Sequence, residues 1–478
     1  MNNQIIISVL FIILLAFCKP AERHQAVVSE FEEVSQVDSG RAVAVMLTAY
    51  STTLVADGKD NTMLRVAVTD SAGREIRSAS NEIRIYINGD GMVTGTGPDV
   101  ELSSAVDTSG TEYLEYRLEN GLAWLIFRAG DQPDKIKVEV RADKLWAGSH
   151  EIHTIPDDVE LLVPEQGQIK SADIQYERMI GADISFLPQF EDRGRRYFEN
   201  GIEKDAVKIL SDHGFNYIRL RIFVNPDNEK GYSPDRGFCD LEHTLQMAKR
   251  IKDAGMKLLL NFHYSDYWAD PQQQNKPAEW SSLDFEDLRD TLMIYTADVL
   301  RTLELQGTPA DMVQVGNEIN HGLLWPEGHI SKPDQLADLL KAGVEGVKMV
   351  DENIPVMMHV ALGGQNDEAV FWYDNMIARG VKFDIMGISY YPRWHGTLDD
   401  LKKNLTDLVI RYKKPVNVVE YSDFREEVHQ IVFDLPDDMG TGTCIWEPIG
   451  FRGSLFDRDG NVIEGMMLYD DLSNKYLE

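Results

Sequence analysis

Cysteine is scarce. The three in this 478-residue chain, Cys18, Cys239 and Cys444, are scattered and supply neither a disulfide framework nor a Cys-rich metal site. Basic residues are outnumbered as well. There are 47 Lys plus Arg against 79 Asp plus Glu, and the formal net charge of −32 argues against nucleic acid as a partner. Long hydrophobic runs are missing. The nearest approach, residues 5–17, is interrupted by Ser8 and is too short to span a bilayer. With 43% hydrophobic and 26% charged residues, the remaining composition is that of globular domains, and the length calls for two or three of them.

The short apolar run suits the h-region of an export leader. Leu15-Ala16-Phe17-Cys18 resembles a bacterial lipobox, in which cleavage before the cysteine frees a terminus for acylation. The n-region Met1-Asn2-Asn3-Gln4 carries no Lys or Arg, and Phe17 is bulky, so ordinary secretion and a retained buried helix stand as alternatives. The expectation is export, as a lipoprotein of a bacterial outer membrane or cell surface. Residues 1–18 would be the leader with Cys18 as the lipidation point, and the polar, acidic residues 19–40 a tether.

Residues 41–165 read as an all-β, immunoglobulin-like sandwich without its cysteine pair. Short segments at 43–49, 63–69, 82–87, 122–128 and 135–141 are rich in β-branched residues. Turn chemistry at Asp70-Ser71-Ala72-Gly73 and Asn88-Gly89-Asp90-Gly91 separates some of them. Trp124 and Phe127 are assigned to packing, with a carbohydrate platform as the other reading.

From residue 170 to 478 the pattern changes to strand alternating with helix. Candidate strands are 178–183, 217–223, 257–263, 312–317, 356–359, 384–389, 416–420 and 443–447, with amphipathic stretches between them. Eight such units predict an α/β fold, a (β/α)8 TIM barrel, whose active site is built at the C-terminal ends of the strands. Strand one ends in Asp183, strand three in His263, strand four in Asn317-Glu318, strand seven in Glu420 and strand eight in Trp446-Glu447. Strands four and seven lie across one barrel mouth, so Glu318 and Glu420 can face each other.

Two carboxylates flanking one bond can hydrolyse a glycoside; at roughly 5–5.5 Å separation the second attacks the anomeric carbon and configuration is retained. Glu318 is assigned as acid/base because Asn317 beside it can hold a sugar 2-hydroxyl, and Glu420 as nucleophile. A lone strand-end Glu is as readily a salt-bridged structural group.

Several blocks, taken together, resemble glycoside hydrolase family 53. They are Gly181-Ala182-Asp183-Ile184-Ser185, the run from Ile218 to Pro226, and His263-Tyr264-Ser265-Asp266-Tyr267-Trp268-Ala269-Asp270-Pro271. Gly316-Asn317-Glu318-Ile319, Ser389-Tyr390-Tyr391-Pro392, Trp394-His395-Gly396, Val419-Glu420 and Trp446-Glu447-Pro448 complete the set. The resemblance implies a retaining endo-β-1,4-galactanase cutting within β-1,4-galactan, the side chains of type I arabinogalactan and rhamnogalacturonan. Bacterial members often carry a long calcium-binding loop after strand seven. Here Tyr421-Ser422-Asp423-Phe424 alone separate Glu420 from the next helix, which puts that calcium site and some distal subsites in doubt. Asp457-Arg458-Asp459-Gly460-Asn461 has calcium-like spacing but reads better as a polar hairpin turn.

Around the carboxylates, Arg219 and Arg221 share a parity and point inward, either to orient Glu420 or as structural ion pairs. His263 is expected to donate to a sugar hydroxyl or a catalytic carboxylate, and His359 to stand near the site. Trp268 and Trp446 offer faces for a pyranose, Trp394 lines the cleft, and Tyr390 holds the nucleophile by its hydroxyl. Trp372, at helical spacing, is packing. Asn404 heads a glycosylation sequon inside a helix and is set aside. The mechanism requires no cofactor, no metal ligand set is expected, and a monomer is expected. Two rivals remain: a clan relative acting on mannan, xylan or β-glucan, and a silent glycan-binding surface lipoprotein.

Overall fold

In this computed structural model the described residues are 40–71, 73–95, 102–165, 167–169, 176–450 and 453–477. The leader, Cys18 and nearly all of the tether lie outside them. None of the helices among the described residues is long and apolar enough to cross a membrane.

The N-terminal region forms two sheets. One has the order Ala44–Ala49, Asn61–Thr69, Leu122–Ala129, Gly91–Gly95; the other runs Thr53–Val55, Gly148–Ile155, Lys135–Ala142, Glu82–Asn88, Glu112–Arg117, Ser103–Val106. Lys135–Ala142 alternates between outward Lys, Glu and Arg and inward Ile136, Val138 and Val140, which are fully buried. Those residues meet Leu64, Val66, Leu125 and Phe127 of the facing sheet in one core. Phe127 is fully enclosed, whereas Trp124 is half-buried on the outer face, its ring centroid 6.0 Å from that of Tyr50. Strands such as Thr53–Val55 and Ser103–Val106 escape sequence reading because three or four residues carry no measurable alternation.

Eight parallel strands close the second region into a barrel: Met179–Asp183, Tyr217–Ile222, Lys257–Phe262, Met312–Val315, Val356–Val360, Ile385–Tyr390, Val416–Tyr421 and Gly440–Trp446. Closure comes from the pairing of Met179 through Asp183 with Gly442 through Trp446. Helices follow each strand, from Ala206–Asp212 to Met467–Tyr476. Their starts follow local chemistry: Asp240 and Asp284 cap Leu241–Asp253 and Phe285–Gln306, and a Thr397/Asp400 capping box opens Leu398–Tyr412. Outward strand residues join the helices in the large core; inward residues Met179, Tyr217, Leu259, Met312, Met357, Ile385, Val419 and Cys444 fill the floor of the barrel. Above that floor the inward positions turn polar.

Strand seven passes directly into helix Arg425–Phe433, so the loop there is as short as its sequence indicates. Asp457 accepts the backbone N–H groups of Asp459 and Asn461, and Phe456 bridges Val462, so the calcium-like segment is a hairpin turn. Trp372 is fully buried, and Asn404 spends its amide on the carbonyls of Leu362 and Gly363.

Candidate active site

Strand four ends at Val315, and the chain then turns sharply. Gly316 takes φ 82° and Glu318 takes φ 49°, a left-handed conformation that costs a non-glycine residue about 1–3 kcal/mol. Held in this way, Asn317 and Glu318 both reach the barrel mouth. The turn is locked by the indole of Trp372, whose Nε1 donates to the Ile319 carbonyl at 2.8 Å.

Strand seven places its glutamate by a different device. Against strand six, Ile388 pairs with Val418 but Ser389 pairs with Glu420, so Val419 is an extra residue. Such a bulge re-aims side chains. Val419 fills the barrel floor, Glu420 faces the mouth, and Tyr421 returns to the outer core.

Glu318 and Glu420 offer carboxylate oxygens within 4.8 Å of each other. Their surroundings differ. Glu420 Oε2 accepts from Arg219 Nη1 at 2.9 Å, and its Oε1 accepts from the Tyr391 hydroxyl at 2.9 Å. Glu318 Oε1 accepts only a neutral donor, the Ser389 hydroxyl, at 2.7 Å. Behind Ser389 stands His359, its Nε2 2.8 Å from the Ser389 Oγ. His359 Nδ1 accepts the backbone N–H of Glu318 at 3.3 Å, so the ring proton belongs on Nε2 and points at Ser389. Burial holds His359 well below the ordinary imidazole pKa, with the Arg219 cation adding to the effect.

Burial pushes Glu318 well above the usual carboxyl range, and the charge of Glu420 raises it further. Burial raises Glu420 too, but there the Arg219 guanidinium pulls in the opposite direction. The two environments therefore favour a protonated Glu318 beside an ionised Glu420.

Arg219 is the hub of a buried network. Its Nη1 also reaches Asp183 Oδ2 at 2.9 Å, Nη2 reaches Asn317 Oδ1 at 2.8 Å, and Nε reaches Gln314 Oε1 at 3.2 Å. Asp183 accepts from Arg219 and from the Ser185 hydroxyl, which donates at 2.6 Å, and still borders the mouth. Arg221 realises the alternative expected of the pair. It ion-pairs with Glu447 at 2.8 Å and lies over the rings of Phe186 and Trp268 at 4.1 and 4.2 Å. Asn317 gives one amide hydrogen to the Ala269 carbonyl at 2.9 Å and keeps its second for another acceptor.

One expectation needs correction. Tyr390 does not hold Glu420; its hydroxyl donates to the Gly396 carbonyl and its ring lies in the outer core. The neighbouring Tyr391 does, because it shares the inward parity of Ser389 on a strand whose alternate residues Met386, Ile388 and Tyr390 face the helices. Of the two partners expected of His263, the carboxylates are not among its hydrogen bonds, while the ring borders the mouth beside Trp268 and Asn317. Its Nδ1 accepts the Ala269 N–H at 3.0 Å, and Nε2 lies 3.2 Å from the Asn261 amide. Gln314 and Asn261 join the site with no sequence signal of their own, and Ser389 stands only inside a quoted block; all three lie at inward positions one strand-repeat below or beside the named residues.

The mouth opens into two connected spaces. One of about 130 Å³ is bounded by Asp183, Arg219, His263, Trp268, Asn317 and Trp446 together with both glutamates. The other, about 410 Å³, runs from the same glutamates past Asn320, Gln365, Tyr391 and Trp394. Trp446 borders both, and Trp394 is 40% exposed on the second. Glu318, His359 and Glu420 each bring an atom close enough to share a cation. Both imidazole nitrogens of His359 are already engaged in hydrogen bonds.

Residues 179–432 match the glycosyl hydrolase family 53 model. The chain belongs to that family. The family 53 chain is 41% identical over 312 residues to an uncharacterized protein of Niallia circulans, a match covering 56% of this chain and 83% of that one. It is 37% identical over 337 residues to the arabinogalactan endo-beta-1,4-galactanase A of Emericella nidulans, covering 61% and 94% respectively. Among solved structures, the Ignisphaera aggregans GH53 catalytic domain superposes with a TM-score of 0.58 at 30% identity, covering 63% of this chain and 98% of that domain. Residues 45–151 match a different model, the glycoside hydrolase family 2 C-terminal domain 5.

Proposed function

We propose that this family 53 enzyme hydrolyses internal β-1,4-galactosidic bonds of galactan with retention of configuration. The observation that carries the reading is that an oxygen of Glu318 and one of Glu420 lie within 4.8 Å of each other across the barrel mouth, close enough to flank one glycosidic bond and on the short side expected of a retaining pair. Glu420, held by Arg219 and Tyr391, attacks the anomeric carbon. Glu318, kept protonated by burial, gives its proton to the departing oxygen. It then takes a proton from the water that releases the galactosyl ester, so acid and base are one group used twice. The Asn317 amide hydrogen left over from Ala269 donates to the 2-hydroxyl of the reacting sugar. The galactanase named among the relatives supports galactan as the substrate, and these steps need no cofactor.

Purified β-1,4-galactan, mannan, xylan and β-glucan offered side by side test the substrate. Galactan should lose viscosity before many reducing ends form, with the β-anomer appearing first by NMR. Preferred cleavage of another polysaccharide, or first release of the α-anomer, would overturn the reading. Localisation belongs to the same proposal: residues 1–18 export the enzyme and Cys18 anchors it by acylation, with a monomer as the working unit. The lipobox-like Leu15-Ala16-Phe17-Cys18 supports this, and a Cys18→Ser chain should move from membrane to soluble fractions.

A further inference from the structure

The larger space beside the two carboxylates is not walled by the barrel alone. Ser149, His150 and Glu151, from sandwich strand Gly148–Ile155, border the same cavity as Glu318, Glu420, Tyr391 and Trp394. The smaller space, bounded by Arg219, Trp268 and Asn317, has no sandwich residue in its lining. That division maps onto the reaction. Asn317 and Arg219 belong to the sugar that carries the attacked carbon, which puts that sugar in the smaller space. The acid delivers its proton to the opposite side of the bond, so the departing chain extends past Glu318 over Asn320 and His321 toward Trp394 and the sandwich.

The wall is fixed on both flanks. Lys135 donates to the Gln272 carbonyl at 2.7 Å, in the loop after barrel strand three, and pairs with Glu151 at 2.6 Å. On the other flank, Arg393, after strand six, donates to the Ala147 carbonyl at 2.6 Å. Behind them Thr52 gives its backbone N–H and its hydroxyl to Glu368 at 2.7 and 2.8 Å, all of these groups being buried. Glu151 is thus held in place by the lysine that ties its own strand to the barrel, and its side chain keeps 21% exposure on the cleft. A preset carboxylate accepts hydroxyl protons and repels uronates; a neighbouring serine hydroxyl can donate or accept; an exposed indole offers an apolar face. Together they fit a neutral sugar chain.

We propose that the β-sandwich forms the leaving-group wall of the active cleft, where Ser149 and Glu151 bind the neutral galactosyl units that depart. This rests on the galactanase reading above.

The test uses the full-length enzyme with Glu151→Ala and Ser149→Trp. Two substrates are compared: β-1,4-galactohexaose, which fills both sides of the cleft, and an aryl β-1,4-galactobioside, whose departing group is only a phenol. The ratio of kcat/KM for the hexaose to that for the aryl substrate should fall about tenfold in each variant, with the change carried by KM in Glu151→Ala. Ser149→Trp should also shift the hexaose cleavage point toward shorter departing fragments. A ratio unchanged in both variants overturns the proposal, as does an equal loss on the two substrates. Failure of the parent enzyme to cleave either galactoside would instead bring down the galactanase reading itself.

Discussion

The ends of barrel strands four and seven carry the same side chain and treat it in opposite ways. At strand four the backbone is forced into a left-handed turn, and Glu318 meets one hydroxyl backed by a neutral imidazole. At strand seven a bulge does the aiming, and Glu420 meets a guanidinium and a phenol. Desolvation is common to both; what separates them is the charge of the first neighbour. That difference favours the protonated form of one carboxyl and the anion of the other, which is what the two roles proposed for them require.

The comparison is broken most severely by removing the proton carrier. Glu318→Gln keeps the shape and loses the acid, so galactan hydrolysis should fall by roughly 10³-fold while thermal melting stays close to that of the parent. A substrate whose leaving group needs no proton should suffer far less in the glycosylation step. Steady-state and burst kinetics on both substrates would check this.

Arg219→Met attacks the other side. Without the cation the carboxyl of Glu420 rises further, so the acidic limb of the kcat/KM profile, which requires it ionised, should move to higher pH. Activity at the optimum should drop about 10²-fold, in line with the loss of one partner from a buried ion pair. A merely structural arginine would lower activity without moving that limb, and the pH profile separates the two.

Ser389→Ala makes the smallest change. The hydroxyl holds Glu318 down by donating to it, so its removal should raise the acid's pKa and carry the basic limb upward, with about a tenfold loss of rate. The two variants therefore shift opposite limbs of one profile, both toward higher pH.

Much of this is legible in the sequence because a barrel repeats one simple pattern. The sequence pattern places each barrel strand to within a few residues, the polar groups at strand ends name Glu318, Glu420 and Asn317, and parity along strand two names Arg219. The errors are local. Sequence points to Tyr390 where the structure uses Tyr391, because a tyrosine pair gives no hint of parity until Ser389 is known to face inward. Period alone also hides the bulge at Val419, since an inserted residue changes the phase without changing composition. Gln314 and Asn261 lie inside apolar strands as uncharged residues, and only the charge of Arg219 makes them necessary. The entry of the sandwich into the cleft had no local signal: Ser149 and Glu151 are ordinary strand residues far from the catalytic pair in the chain.

The division of labour between the two glutamates is tested most directly by the stereochemistry of azide rescue. In Glu420→Gly, azide can enter only where the missing carboxylate attacked, and the account predicts an α-galactosyl azide; in Glu318→Ala, with an aryl galactobioside, azide intercepts the ester on Glu420 and the β-azide should form. The reversed pair of products, or the same anomer from both variants, would contradict it.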